Sequence, residues 1–108
     1  MSLSLPDAVA TYFAISNGAD IANVNLCFTP DAVVIDEHKT HRGLDAIQAW
    51  QRDVQSAFEY TVEPIRVADE GTRLTVTSHV AGNFPGSPVQ LSHAFTLLDG
   101  KIAALEIV

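Results

Sequence analysis

The chain holds one cysteine, one tryptophan and only six lysines and arginines in 108 residues, and no apolar run approaches the length of a membrane span. Each shortage removes a class of function. A lone Cys27 forms no intrachain disulfide, and between Leu26 and Phe28 it reads as buried packing rather than as a nucleophile. The six basic residues stand against 13 acidic ones, a formal charge of -7, and are nowhere clustered. A nucleic-acid groove or a contact with an anionic membrane surface needs the reverse. The start of the chain lacks a basic segment followed by an apolar run and a small-residue cleavage site, so a cytoplasmic location is expected. Glycine-rich phosphate loops, Cys-x-x-Cys pairs and Ser-His-Asp motifs are missing too, which argues against nucleotide, zinc-ribbon and acyl-enzyme chemistry. No cofactor is implied. Glu37, His38 and His41 lack a recognised metal-ligand spacing and a fourth partner, so they read as a solvated turn and no metal site is expected.

What is present is an ordinary globular composition, 47% hydrophobic and 18% charged, long enough for one core and one domain over residues 1–108. Pro6 and Asp7 open a first helix, capped by Ser4 or Leu5 and ended by Asn17-Gly18. Asp20 caps a short helix that runs to about Phe28 and is closed by Pro30. Ala32 to about His38 reads as a strand, and 39–43 as a turn or a short strand. After Gly43, Ile47, Trp50, Val54 and Ala57 or Phe58 recur on one helical face, with Gln48, Gln51, Arg52 and Gln55 facing outward. Four strands follow, Tyr60 to Ala68, Thr72 to Gly82, Val89 to Leu98 and Lys101 to Val108, joined by turn chemistry at Asp69-Glu-Gly71 and Asp99-Gly100 and by a longer loop from Asn83 to Pro88. This order predicts an α+β domain whose antiparallel sheet curls around its helices.

One strand breaks its own pattern. In Val89-Gln-Leu91-Ser-His93-Ala-Phe95-Thr-Leu97 the apolar face is interrupted only by His93, which alternation turns into the core between Leu91 and Phe95. There it either donates a hydrogen bond to a bound molecule or bonds a neighbouring strand. Asp36 ends the apolar run Ala32-Val33-Val34-Ile35, and alternation groups it with Val34 and His38 while leaving open which face is inner. A carboxylate in an apolar wall is poorly solvated and accepts a proton from a carbon acid more readily; one at a strand end facing water does not. His79 shares the more polar face of its strand and reads as surface or dimer interface.

The segments Tyr12-Phe-Ala-Ile-Ser-Asn-Gly-Ala-Asp20, Phe28-Thr-Pro-Asp-Ala-Val-Val-Ile-Asp36 and His41-Arg-Gly-Leu-Asp-Ala-Ile-Gln-Ala-Trp50 resemble the SnoaL-like and ketosteroid-isomerase-like branch of the NTF2-like superfamily, over essentially the whole chain. The resemblance implies a cone-shaped barrel, a strongly curved antiparallel sheet wrapped around three helices of the N-terminal half. It also implies a homodimer paired through the outer face of the sheet, where Thr75, Thr77 and Ala81 offer a surface. Carried over by position, Tyr12 looks like the isomerases' tyrosine that hydrogen-bonds the substrate oxygen, and Asp36 like their catalytic carboxylate. His93 stands where they carry a protonated aspartic acid, a departure from the pattern. The implied activity is proton transfer next to a carbonyl of a small hydrophobic, steroid- or polyketide-like compound, with Asp36 as base and Tyr12 and His93 as oxyanion donors. Isomerisation, ring closure and dehydration all use such a set. Trp50, Phe13, Phe28, Phe58, Phe84 and Phe95 are the aromatic candidates for pocket lining, with core packing the alternative for each. Tyr12, on a helix apolar nearly all round, is open to the same alternative. For the whole chain the alternative is a non-catalytic small-molecule-binding or dimerisation domain, because the fold hosts many activities.

Overall fold

Residues 4–108 are described here by a computed structural model. Helix α1 (Asp7–Ser16) begins directly after Pro6, whose φ of -55° and ψ of 149° hold the chain extended up to the first turn. Neither Ser4 nor Leu5 therefore serves as the cap, and no side chain does. The acidic Asp7 lies in the first turn, where the helix dipole favours it. Asn17 and Gly18 end α1 as expected, Gly18 taking a φ of 108° that is costly for any other residue. Asn17 does more than stop the helix. Its side-chain amide donates to the Val62 carbonyl at 2.8 Å and accepts from the Val62 N–H at 2.7 Å, tying the end of α1 to a strand as though it were a strand itself.

Asp20 caps a turn of 3-10 helix (Ile21–Asn23) by accepting from Ala22 N–H at 3.0 Å, and the four-residue α2 (Val24–Cys27) follows. Strand β1 (Phe28–Asp36) starts earlier than the sequence suggests. Pro30 is accommodated inside it because the pairing is irregular between Phe28 and Val33, where a missing N–H breaks no ladder bond. β1 also ends earlier, at Asp36, since Glu37 and His38 both have positive φ (52° and 64°) and form the two-residue turn into β2 (Lys39–Arg42).

Helix α3 (Leu44–Ala57) buries Ile47 and Trp50 as its periodicity requires, but it also buries Gln51 and half-buries Gln55. Both amides were expected outside. α3 lies against α1 as well as the sheet, and there Gln55 donates to the Ile15 carbonyl at 2.8 Å and to Gln51 at 3.2 Å. A buried amide that finds such partners is tolerated.

The remaining strands are β3 (Tyr60–Glu70), β4 (Arg73–Gly82), β5 (Val89–Leu98) and β6 (Lys101–Ile107), and the sheet order is β2-β1-β6-β5-β4-β3. The sheet is curved, open at both edges and mixed rather than wholly antiparallel, because β1 runs parallel to β6. The long connection between them carries α3 and the rest of the sheet, so the chain can return to β1 in either direction, and it returns parallel. Pro64 sits in edge strand β3 at a bulge, which its missing N–H demands.

Register sets the core. Val34, Leu105, Phe95 and Leu74 lie side by side across β1, β6, β5 and β4, all buried. They pack against Val9, Phe13 and Ile15 of α1 and Ile47 of α3, and each fully buried side chain of this size contributes roughly 1.5–3 kcal/mol. Cys27 belongs to this core, with its thiol pushed up to about 11 by burial, consistent with a packing role. Among the described residues no helix is long and apolar enough to cross a membrane.

Candidate functional site

One step along the sheet from the apolar row is a second row with different chemistry. Asp36 of β1 pairs with Ile107 of β6, Ile107 with His93 of β5, and His93 with Val76 of β4. Partners across a ladder share a face, so Asp36 and His93 look the same way, two strand spacings or about 10 Å apart at Cα. That face is the inner one, since Val34 and Phe95, two residues from each, are fully buried. The open question about Asp36 is thereby answered by register.

A cavity of about 690 Å³ lies over this row, within the size range of small-molecule sites. Tyr12, Asp36 and His93 all line it. Val62 and Val80 of β3 and β4 line it as well, and Glu37, Lys39 and Asp53 add charge to the lining. Of the aromatic candidates, Trp50, Phe58 and Phe84 line the cavity, the last two meeting edge to face at 6.2 Å. Phe13, Phe28 and Phe95 do not; they are core residues surrounding the ring of Tyr12, with centroids 5.2, 6.1 and 5.5 Å from it. Phe13, next to Tyr12 on α1, turns to the core while Tyr12 takes the cavity side.

Tyr12 is 3% exposed and its ring lies 5.9 Å from that of His93. Burial raises its phenol well above the ordinary range, only partly offset by the Ser16 hydroxyl one turn along, and nearby Tyr60 and Asp36 push the same way. It is therefore a neutral hydroxyl at any physiological pH. His93, also 3% exposed, is lowered to about 4, chiefly by burial, with the backbone at Leu91 and Val76 opposing the shift. It too is neutral near pH 7. A neutral imidazole has one N–H to give and one lone pair to accept with. Among the described residues Nδ1 of His93 has no hydrogen-bond partner, and neither has the buried hydroxyl of Ser78 on the adjacent strand. Native interiors rarely leave such atoms unpaired.

Asp36 is half-buried and accepts a hydrogen bond at Oδ2 from the indole N–H of Trp50, 3.1 Å away. The indole stacks with Tyr12 and with His41. His41 is thus half-buried on the cavity wall, not in a solvated turn; His38, in the turn itself, is exposed. Tyr60, whose phenol is raised by burial and by the charge of Asp36, lines the cavity as well. Two signals could have found these residues. Tyr60 precedes buried Val62 by two, and His41 lies opposite Val34 once a two-residue turn at Glu37-His38 is recognised.

The sequence profile of the SnoaL-like domain matches residues 9–105. The chain belongs to the SnoaL-like family. Among solved structures, a candidate polyketide cyclase from Sinorhizobium meliloti is 42% identical to this SnoaL-like chain, with a TM-score of 0.91 over 96% of it and 95% of the other. A protein of ketosteroid-isomerase-like fold from Catenulispora acidiphila, solved in complex with trimethylamine, is 17% identical, with a TM-score of 0.85 over 97% and 86% of the two chains. The epoxide hydrolase/cyclase-like enzyme SalBIII, of pyran ring formation in salinomycin, is 24% identical, with a TM-score of 0.78 over 94% and 86%. The latter two share the fold alone with this SnoaL-like domain. No curated protein matches the chain. The family's neighbours include cyclase-type and isomerase-like proteins, and the fold is NTF2-like.

Proposed function

We propose that this SnoaL-like domain is an enzyme that moves a proton next to the carbonyl of a small hydrophobic, steroid- or polyketide-like molecule. The observation that carries the reading is the row Asp36-Ile107-His93, which puts a carboxylate and a neutral imidazole with no partner at Nδ1 on one wall of the cavity, with the Tyr12 ring beside the imidazole. Asp36 takes the proton from the carbon next to the carbonyl. The C–H electron pair moves into the carbonyl system, and the enolate oxygen is met by the Tyr12 hydroxyl and an N–H of His93. Both donors are neutral, so neither is spent in an ion pair, and both are buried, where a hydrogen bond to developing charge is strongest. Return of the proton to another carbon completes an isomerisation. Attack of the same carbanion on a second carbonyl of the molecule completes a ring closure, with the proton passing to the new alkoxide. The polyketide-cyclase relative at 42% identity favours ring closure.

The test is a thermal-shift screen of cyclic ketones and short polyketide mimics, followed by turnover measurements on the ligands found. Asp36→Asn should keep the fold and lose about 10²–10⁴ in kcat; undiminished turnover removes Asp36 from the mechanism. We propose also that the protein is cytoplasmic and pairs as a homodimer through the outer face of the sheet, where Thr75, Thr77 and Ala81 are half-buried in the single chain. Light scattering behind a sizing column that returns the monomer mass of 11.6 kDa would overturn the dimer.

A further inference from the structure

Trp50 is the chain's one tryptophan, and its burial at 7% exposure does not by itself explain where its nitrogen points. The indole N–H donates to Oδ2 of Asp36, and among the described residues Oδ1 of the same carboxylate accepts no hydrogen bond. The ring has little freedom of its own. It is parallel to Tyr12 within 9°, centroids 6.5 Å apart, and stacked with His41 at 29° and 5.8 Å. Asp36, by contrast, is the last residue of its strand, followed by a two-residue turn with positive φ at both positions, and among the described residues Trp50 is the side-chain partner of its carboxylate. A base must be held within a fraction of an ångström of its productive pose to be effective.

We propose that Trp50 is a positioning residue: it occupies one oxygen of Asp36 and so fixes the other, Oδ1, as the atom that takes the substrate proton. The proposal rests on the reading of Asp36 as the base. It also makes the aromatic stack a single mechanical unit, in which α1 sets the angle of the indole through Tyr12 and the indole sets the carboxylate.

A lone tryptophan gives one indole N–H signal in a ¹H–¹⁵N NMR spectrum, so the hydrogen bond can be followed without any substrate. The other ionisable groups around the cavity are Tyr12, Glu37, Lys39, His41, Asp53, Tyr60 and His93, and His41→Gln removes the histidine stacked on the ring. In the wild type and in His41→Gln the indole signal should move on acid titration, and in Asp36→Asn that movement should be lost. The same titration curve in Asp36→Asn overturns the proposal. Trp50→Phe, which keeps a ring in the stack, should lower kcat on the order of tenfold with KM little changed. An unchanged kcat in Trp50→Phe overturns it as well. Loss of turnover in Asp36→Asn with an unaltered indole titration overturns the positioning role alone. Full turnover in Asp36→Asn overturns the base, and with it the catalytic half of this proposal.

Discussion

The indole of Trp50 and the phenol ring of Tyr12 lie parallel, 9° apart in plane with centroids 6.5 Å apart. One comes from α3 and the other from α1, and between them they present a hydroxyl and an anchored carboxylate to the same cavity. The stack allows the hydroxyl to be removed without disturbing the ring. Tyr12→Phe keeps every aromatic contact, so thermal stability should change by about 1 kcal/mol or less, while kcat should fall about 10²–10³-fold if the phenol meets the enolate oxygen. A loss of stability matching the loss of activity would instead make Tyr12 a core residue.

His93 ties stability to pH. Its folded value of about 4 lies below the ordinary histidine value of 6.5, so between those limits the unfolded chain binds a proton at this position and the folded protein does not. Stability is kept in full above the upper limit and falls as pH falls through the window, by about 3 kcal/mol for a shift of this size, levelling off below the lower limit. Denaturant melts of the wild type and of His93→Gln at a series of pH values should show a difference that closes as pH drops from neutral towards 4. A constant difference would mean that the imidazole is charged, or solvated, in the folded state.

Gly82 is required for space rather than for conformation. A Cβ there would run into the Glu59 carbonyl and into Tyr60 across the β3–β4 ladder. Gly82→Ala should therefore cost about 1–3 kcal/mol, as overpacking does, and lower the thermal midpoint by several degrees. Because Tyr60 lines the cavity, the variant should also weaken binding of any ligand found in the screen. A variant with wild-type melting behaviour would show that the strand end yields freely.

Most of the architecture was legible because it follows from period and punctuation. α3 was readable from Ile47, Trp50 and Val54, and β5 from the alternation that made His93 conspicuous. The element order, with the three quoted segments, pointed to the family. What escaped has two physical origins. Glu37 and His38 enter the left-handed region without glycine or asparagine, so the turn that ends β1 carried no sequence signal and His41 was placed in solvent. The other is tertiary contact. Gln51 and Gln55 look like surface residues on a helical wheel, and only tertiary contact makes them interior: Gln55 donates to the Ile15 carbonyl on another helix and to Gln51, which lines the cavity. Likewise the aromatic residues divide between core, as Phe13, Phe28 and Phe95, and cavity lining, as Trp50, Phe58 and Phe84, a matter of packing that composition does not express.

The parallel pairing of β1 with β6 has a consequence for the order of assembly. Asp36 and His93 share no ladder of their own; Ile107 stands between them, on the last strand of the sheet. A nascent fragment that stops before β6 can form its hairpins and helices, yet it has nothing to bring the carboxylate strand alongside the imidazole strand. The pocket therefore depends on the longest-range strand pairing in the sheet, the one that costs most in loop closure. Any process that frays the last strand uncouples the two halves of the chemistry before it unfolds the protein.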